Sequence, residues 1–215
     1  MIDAIAAYKY LICNMGFLPQ NITVGGDSAG GSIALAVTRY VVESNLPHLP
    51  PPGGLIAACP AADLSHSRAG INSSHYLNAS CDMFDHKPNS HAPSVLRPSR
   101  ASYFGDIGLE EAKRNRYLSP ASEFATPLKV GDTKLFSGFP RSYIMGGGAE
   151  FQYDDIAALA ERMMDDGVDV TADFHPDAVH DYFVFSWHEP ERTQSLTRCA
   201  AWLDEGRDVA AVVVE

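Results

Sequence analysis

The sequence predicts an α/β fold in which helices flank a mostly parallel sheet. Short apolar segments alternate with longer segments of helical periodicity along the chain, which is the pattern of such a fold. The short segments are continuously apolar, as expected of parallel strands that are buried on both faces. A glycine-rich turn at residues 25–31 also joins one predicted strand directly to a helix.

The predicted elements follow one another in a regular order. A helix over residues 2–15 precedes a short strand at residues 22–24, and a second helix begins at the glycine-rich turn and ends before Pro47. Further along, the same patterns predict three strands and two helices: strands at residues 55–59, 142–145 and 168–174, and helices at residues 154–166 and 191–204.

The second helix has two different sides. Ile33, Val37 and Val41 recur at helical spacing and predict an apolar face. Arg39 and Glu43 lie four residues apart on the other side of the same helix. The pattern therefore predicts one face packed against the sheet and one polar face.

We expect residues 1–215 to form a single domain with one long irregular insertion. The insertion covers about residues 65–115, is rich in Ser, Asn, His and Pro, and contains a short predicted helix at residues 110–115. A segment of this length in a compact domain is usually a functional lid or a disordered insertion. Its two glycosylation sequons, at Asn72 and Asn78, are interpreted as chance occurrences because the sequence shows no secretory signal.

Composition excludes several classes of protein. With 16 basic and 27 acidic residues the net charge is −11, which argues against nucleic-acid binding through a basic surface. No apolar run approaches the roughly 18 residues of a membrane span, and the lack of a visible signal peptide favours a cytoplasmic protein. The cysteines have neither zinc-ligand nor disulfide-framework spacing, so we expect buried or partly buried free thiols and no metal or other cofactor. They are Cys13, Cys59, Cys81 and Cys199.

The most informative feature is the run of residues 25–31, Gly-Gly-Asp-Ser-Ala-Gly-Gly. Its Gly26-x-Ser28-x-Gly30 core is a nucleophile elbow in the required context, directly between a strand and a helix. The glycines allow a tight turn that other residues would obstruct. The turn places the Ser28 hydroxyl at the positive end of the helix, where developing negative charge is stabilised. Ser28 is therefore predicted to be a nucleophile, although a turn of this kind also occurs as a simple connection.

A serine nucleophile needs a base, and His180 is the best candidate among eight histidines. It follows the last predicted strand in a short loop, which places it at the carboxyl edge of the sheet beside Ser28. His175 lies closer to the strand end, but the adjacent Pro176 restricts it and favours a structural role. The other six are expected at the surface or in loops: His48, His66, His75, His86, His91 and His188.

The acid that orients the base should follow the preceding strand at the same edge. Glu150 is the first carboxylate after the strand at residues 142–145. Asp154 and Asp155 come next, and they are better interpreted as residues at a helix N-terminus. The order Ser28, Glu150, His180 is that of α/β-hydrolases, whereas chymotrypsin has its histidine ahead of its serine.

The sequence resembles the hormone-sensitive-lipase-like esterases, the α/β hydrolase fold-3 group. Five motifs carry the resemblance, and three of them contain Ser28, Glu150 and His180. The motifs lie at residues 26–31, 59–65, 117–121, 147–150 and 179–183. The resemblance implies hydrolysis of a small carboxylic ester through an acyl-enzyme. It makes Ser28 the nucleophile, His180 the general base and then acid, and Glu150 the orienting carboxylate, a position at which many relatives have Asp. The Ala29 N–H, on the residue after the nucleophile, is an expected oxyanion donor.

One departure from the family pattern is large. The His-Gly-Gly-Gly type of oxyanion loop, which belongs upstream of the elbow, does not occur in the sequence, and the early strands of the sheet are absent. We therefore expect a partial α/β-hydrolase fold that lacks its first strands, in a truncated portion of a longer hydrolase or in a natural short form with little activity. By itself the chain should be a poor esterase, at least roughly 10²-fold slower than a form extended upstream. It should also self-associate through an open sheet edge.

Two other functions share these residues. A hydrolase-derived binding module would keep the fold without catalysis, and a serine peptidase would use the same triad on the same fold. Labelling by a fluorophosphonate would separate the catalytic functions from the binding module. Turnover of esters against peptides would then separate the two enzymes.

Overall fold

The computed structural model describes residues 1–82, 102–129 and 131–205. Their strands form one four-stranded sheet in the order β1-β2-β3-β4, and every neighbouring pair is parallel. The strands are β1 (Thr23–Asp27), β2 (Gly54–Ala58), β3 (Ser142–Gly147) and β4 (Val170–His175). Parallel strands with helical connections confirm the predicted fold class, and all four carboxyl ends meet at one edge.

The described residues contain six α-helices, which lie around the sheet or in the connections. They are α1 (Ile2–Cys13), α2 (Ser28–Ser44), α3 (Ser74–Leu77), α4 (Gly108–Arg114), α5 (Tyr153–Asp165) and α6 (Glu191–Glu205). Each predicted helix is found within a few residues of its expected bounds. None of the helices in the described part of the chain combines the length and the hydropathy that a membrane span needs.

The two central strands, β2 and β3, are buried on both faces, as their apolar sequences predict. The prediction is wrong for the outer strands β1 and β4, which have exposed residues because each has a strand partner on one side only among the described residues. Ile144 of β3 packs with α2 and α5 on one face. Its neighbours Tyr143 and Met145 point to the other face, where Trp202 of α6 covers them. This alternation along one strand follows from the two-residue repeat of a β-strand. Helix α1 packs outside α2, with Tyr8 against Val41.

Arg39 does not lie on an exposed polar side of α2. Its side chain is 2% exposed and donates a hydrogen bond to the Leu135 carbonyl oxygen at 2.6 Å. The guanidinium lies 4.8 Å from the ring centre of Phe136 and 3.4 Å from a Glu43 oxygen. Burial lowers the pKa of Arg39 to about 10 although Glu43 opposes the shift. Helix α2 is buried on this side as well, because Leu135 and Phe136 pack against it.

The expected insertion at residues 65–115 falls partly outside the described residues, which resume at residue 102. Its beginning is ordered by Asp63, a fully buried carboxylate whose two oxygens accept hydrogen bonds from Ser65 N at 2.9 Å and Ser67 N at 2.8 Å. Helix α3 follows, and α4 takes the place of the short helix predicted at residues 110–115. The described parts of the segment are therefore not irregular throughout.

The cysteines are free thiols, as expected, but their burial differs from the prediction. Cys59 is buried and Cys199 is intermediate, whereas Cys13 and Cys81 are exposed.

Candidate active site

The turn from β1 into α2 holds Ser28 in a backbone conformation that few residues adopt. Ser28 has a φ of +51°, and the left-handed region is strained for a residue with a Cβ atom. A Cβ atom on Gly26 would lie 2.3 Å from the Gly30 carbonyl oxygen, and one on Gly31 would lie 2.9 Å from the Pro60 Cβ. The glycines therefore allow the turn to close, and the close packing maintains the strain at Ser28.

Three strands bring three polar side chains to one point at the carboxyl edge of the sheet. Ser28 directly follows β1, Glu150 lies three residues after β3, and His180 lies five residues after β4. The His180 Nε2 atom is 2.8 Å from the Ser28 Oγ atom, and its Nδ1 atom is 2.8 Å from the Glu150 Oε2 atom. The other Glu150 oxygen, Oε1, accepts a hydrogen bond from Gly147 N at 2.7 Å.

The other two carboxylates considered for this position bind elsewhere. Asp154 accepts a hydrogen bond from Ser74 N at 2.7 Å. Asp155 lies 2.8 Å from the Nε2 atom of His75. His75 was expected at the surface or in a loop, but it lies in α3 and its side chain is only 7% exposed because it pairs with the buried Asp155.

The ion pair of His180 with Glu150 is almost completely withdrawn from solvent, with side chains 1% and 0% exposed. Burial by itself lowers the pKa of His180, but the hydrogen bond and negative charge of Glu150 outweigh it and raise the pKa above its usual value. The environment thus stabilises the imidazolium form, which is the form that a general base takes after it removes a proton.

Ala29 is the second residue of α2, so its N–H belongs to the first turn. Such N–H groups have no acceptor within the helix and lie at the positive end of its dipole. The Ala29 N–H therefore has the position relative to Ser28 that an oxyanion donor needs.

A family model described as the alpha/beta hydrolase fold matches residues 1–184. The chain belongs to this family. Several solved structures that resemble the chain are named esterases or hormone-sensitive lipases. The family resemblance inferred from the sequence motifs is thereby confirmed.

Two curated relatives of this α/β hydrolase are named for ester and acetyl chemistry. Esterase LipU of Mycobacterium tuberculosis is 27% identical over 204 residues, which are 94% of this chain and 60% of that protein. An acetyl-hydrolase of Streptomyces hygroscopicus is 27% identical over 191 residues, which are 87% of this chain and 52% of that protein. The chain therefore spans between half and two thirds of the length of these relatives.

The solved structures agree with this extent. An esterase/lipase from an uncultured bacterium has a TM-score of 0.74 and 29% identity, and the match covers 95% of this chain and 59% of that one. A hormone-sensitive lipase from a metagenome library has a TM-score of 0.76 and 27% identity, and the match covers 96% of this chain and 61% of that one.

Two residues beside the three side chains of this α/β hydrolase were not singled out from the sequence. Asp181 has a φ of +53°, which turns its carboxylate back until Oδ2 lies 3.4 Å from His180 Nε2. Burial raises the pKa of Asp181 to about 6 although the nearby His180 opposes the shift. The sequence signal that could have identified Asp181 is its position directly after the candidate base His180.

Cys59 is the second missed residue. It directly follows β2, is fully buried and has a φ of +42°. One donor atom from each of Cys59, Glu150 and His180 lies within 4.8 Å of the others. Burial and then the Glu150 charge raise the pKa of the thiol, so it stays neutral. These donor types can bind zinc, but here Glu150 and His180 already bind each other.

Proposed function

We propose that this chain is a carboxylic-ester hydrolase that acts through a Ser28–His180–Glu150 triad. The observation that supports it is the pair of 2.8 Å distances from His180, one from Nε2 to Ser28 Oγ and one from Nδ1 to Glu150 Oε2. A nucleophile within hydrogen-bond reach of a base, with that base oriented by a carboxylate, is the arrangement that activates a serine. The substrate is a small-molecule ester, in keeping with the names of the relatives.

The proposed reaction has two halves. His180 Nε2 takes the Ser28 proton as Oγ attacks the ester carbonyl carbon, and the resulting tetrahedral oxyanion accepts a hydrogen bond from Ala29 N–H. The carbon–oxygen bond to the alcohol then breaks, and the proton on Nε2 goes to the leaving oxygen. Water, activated in turn by His180, attacks the acyl-serine and releases the acid. Glu150 keeps the proton on Nδ1 throughout, so that Nε2 faces Ser28 as an acceptor.

We also propose that the 215-residue chain turns over its substrate slowly. One oxyanion donor, the Ala29 N–H, is identified, and the His-Gly-Gly type of loop that supplies further donors in the resembled esterases does not occur in the sequence. Loss of a single oxyanion donor typically lowers the rate by about 10²–10³. Labelling of the serine needs only one reaction per molecule, so it should remain detectable where repeated turnover is weak.

The test compares the wild-type chain with Ser28→Ala and, as a matched control, Ser32→Ala on the next turn of α2. A fluorophosphonate should label the wild type and the Ser32 variant, while Ser28→Ala should not be labelled. Hydrolysis of a short activated ester should be slow but should disappear in Ser28→Ala. Labelling at another serine would refute the assignment of the nucleophile. An unlabelled wild type would favour a binding module, and faster turnover of peptides than esters would favour a peptidase.

A further inference from the structure

The loop that holds Glu150 is joined by hydrogen bonds to a segment more than sixty residues away in sequence. We call residues 147–155 the acid loop, since they run from the end of β3 into α5 and contain Glu150. Residues 74–82, which begin with α3, lie across this loop. The contacts between the two involve both side chains and backbone, and they include Ser74, His75, Asn78 and Asp82 of the 74–82 segment.

Asn78 makes the most direct of these contacts. Its Nδ2 atom donates to the carbonyl oxygen of Gly148 at 2.9 Å and to the carbonyl oxygen of Glu150 itself at 2.9 Å. A carboxamide nitrogen has two protons, and both are used here. The side chain thus bridges two backbone positions of the acid loop, one of them the residue whose carboxylate binds His180.

Three neighbours of Asn78 extend the attachment along the acid loop. Ser74 Oγ donates to the Phe151 carbonyl oxygen at 2.7 Å, Asp82 Oδ2 accepts from Phe151 N at 2.7 Å, and His75 Nε2 lies 2.8 Å from the buried Asp155. Together with Asn78, these side chains contact the acid loop both before and after Glu150.

The acid loop is held in part by its own backbone, through hydrogen bonds from Gly148 N to the His175 carbonyl oxygen at 2.7 Å and from Ala149 N to the Ala178 carbonyl oxygen at 2.9 Å, and it gains the side-chain contacts from residues 74–82 in addition. It begins with Gly147 and Gly148, which have more backbone freedom than other residues. Their close approach to Ala178 and Pro176 leaves no room for a Cβ atom, so a stiffer residue cannot replace them. Glu150 also has one more side-chain torsion than an Asp, and this freedom must be lost to hold its carboxylate against His180.

We propose that Asn78 is a positioning residue for the triad: through the carbonyl oxygens of Gly148 and Glu150 it fixes the acid loop so that the Glu150 carboxylate meets His180. The inference rests on the proposed function and assigns a role to a residue that touches neither substrate nor Ser28. It also indicates that the sequon at Asn78 contains an asparagine whose side-chain nitrogen is already used in two hydrogen bonds. A glycan on Nδ2 would replace one of the protons on which the bridge depends.

The test replaces the amide by a carboxylate of the same shape. Asn78→Asp places oxygen lone pairs opposite two carbonyl oxygens, so both hydrogen bonds are lost. Asn72→Asp, at an exposed position six residues earlier, is the matched control for the added charge. Asn78→Ala removes the bridge without adding charge and decides the question by the same readouts if Asn78→Asp does not fold. Glu150→Ala, which removes the acceptor altogether, is the reference for a broken contact with His180.

Three measurements are made on each folded variant. The far-downfield proton resonance of His180 Nδ1–H reports the contact with Glu150 without any reaction. The rate of fluorophosphonate labelling at Ser28 should fall roughly 10- to 100-fold in Asn78→Asp, the loss expected when a reacting geometry is displaced by about 1 Å. The acidic limb of the pH profile of labelling should move to lower pH in Asn78→Ala, which adds no charge, because Glu150 is the chief group that raises the pKa of His180.

The outcomes are distinct. Loss of the resonance and slower labelling in Asn78→Asp, together with a limb shifted to lower pH in Asn78→Ala, support the proposal, provided that Asn72→Asp behaves as the wild type. A lower melting temperature with an unchanged resonance and pH limb would make Asn78 merely structural and overturn it, as would equal effects of Asn72→Asp. If the wild type is not labelled, the proposed function fails, while the resonance still shows whether Asn78 holds Glu150 against His180.

Discussion

At the scale of single residues, the predicted side chains meet because each follows a strand of one parallel sheet. That rule placed Ser28, Glu150 and His180 together without any knowledge of their contacts, since carboxyl ends of parallel strands share an edge. The same rule does not predict that the Asp181 side chain lies beside His180. Its carboxylate faces His180 only because residue 181 has a left-handed backbone, and sequence patterns do not specify such a conformation outside glycine.

Asp181 should tune the pH dependence of the proposed base. Its carboxylate lies 3.4 Å from His180 Nε2 and helps raise the pKa of that histidine. Asp181→Asn should therefore lower the pKa of His180. Because the base must be neutral to take a proton, the acidic limb of Ser28 labelling should move to lower pH. The measurement is the rate of fluorophosphonate labelling across pH.

The matched control for this change is Asp177→Asn, which removes the same charge from an exposed position in the same loop. Solvent and salt screen an exposed charge. The acidic limb of the labelling rate should therefore move less in Asp177→Asn than in Asp181→Asn. A limb that moves to higher pH in Asp181→Asn, or equally in both variants, would contradict the role given to Asp181.

At the scale of elements, the positions of strands and helices were predictable, but the neighbours of each helix were not. Helical spacing predicted the face of α2 that packs on the sheet. It could not predict that Arg39, on another side, would be buried against Leu135 and Phe136, which lie far along the chain. The same holds for α3, whose role depends on contacts with the acid loop.

Two adjacent glycines of α2 should respond to alanine in opposite ways. A Cβ atom on Gly31 would meet the Pro60 Cβ at 2.9 Å, whereas one on Gly30 has its nearest neighbour at 3.9 Å. Gly31→Ala should push α2 away from the segment after β2 and lower the free energy of unfolding by about 1–3 kcal/mol. Gly30→Ala should raise it by about 0.4–1 kcal/mol, because alanine reduces the freedom of the unfolded chain. Urea unfolding of both variants checks this, and equal effects would mean that the close packing at Gly31 does not constrain the helix.

At the scale of the whole molecule, the two outer strands of the sheet differ in their surroundings. Among the described residues, β1 pairs only with β2 and β4 only with β3. The chain just before β1 exposes Phe17 and Leu18, at 49% and 55%. Strand β4 instead carries an inward-pointing charge, Asp173, which pairs with Arg198 on the face of the sheet that α6 covers. An open strand edge next to apolar side chains is prone to pair with another chain, and charge protects an edge from doing so.

We therefore expect the 215-residue chain to self-associate through β1 rather than β4. Thr23 is an exposed residue of β1 and Thr171 an exposed residue of β4, so a lysine at either position adds the same charge to an outer strand. Sedimentation across a range of concentrations should show larger species for the wild type, fewer for Thr23→Lys and no fewer for Thr171→Lys. The association of the wild type should weaken little with salt, because edge pairing and apolar contact drive it rather than charge. A wild type that stays monomeric at every concentration would show that the β1 edge is already protected, and an equal effect of the two lysines would show that the edges are equivalent.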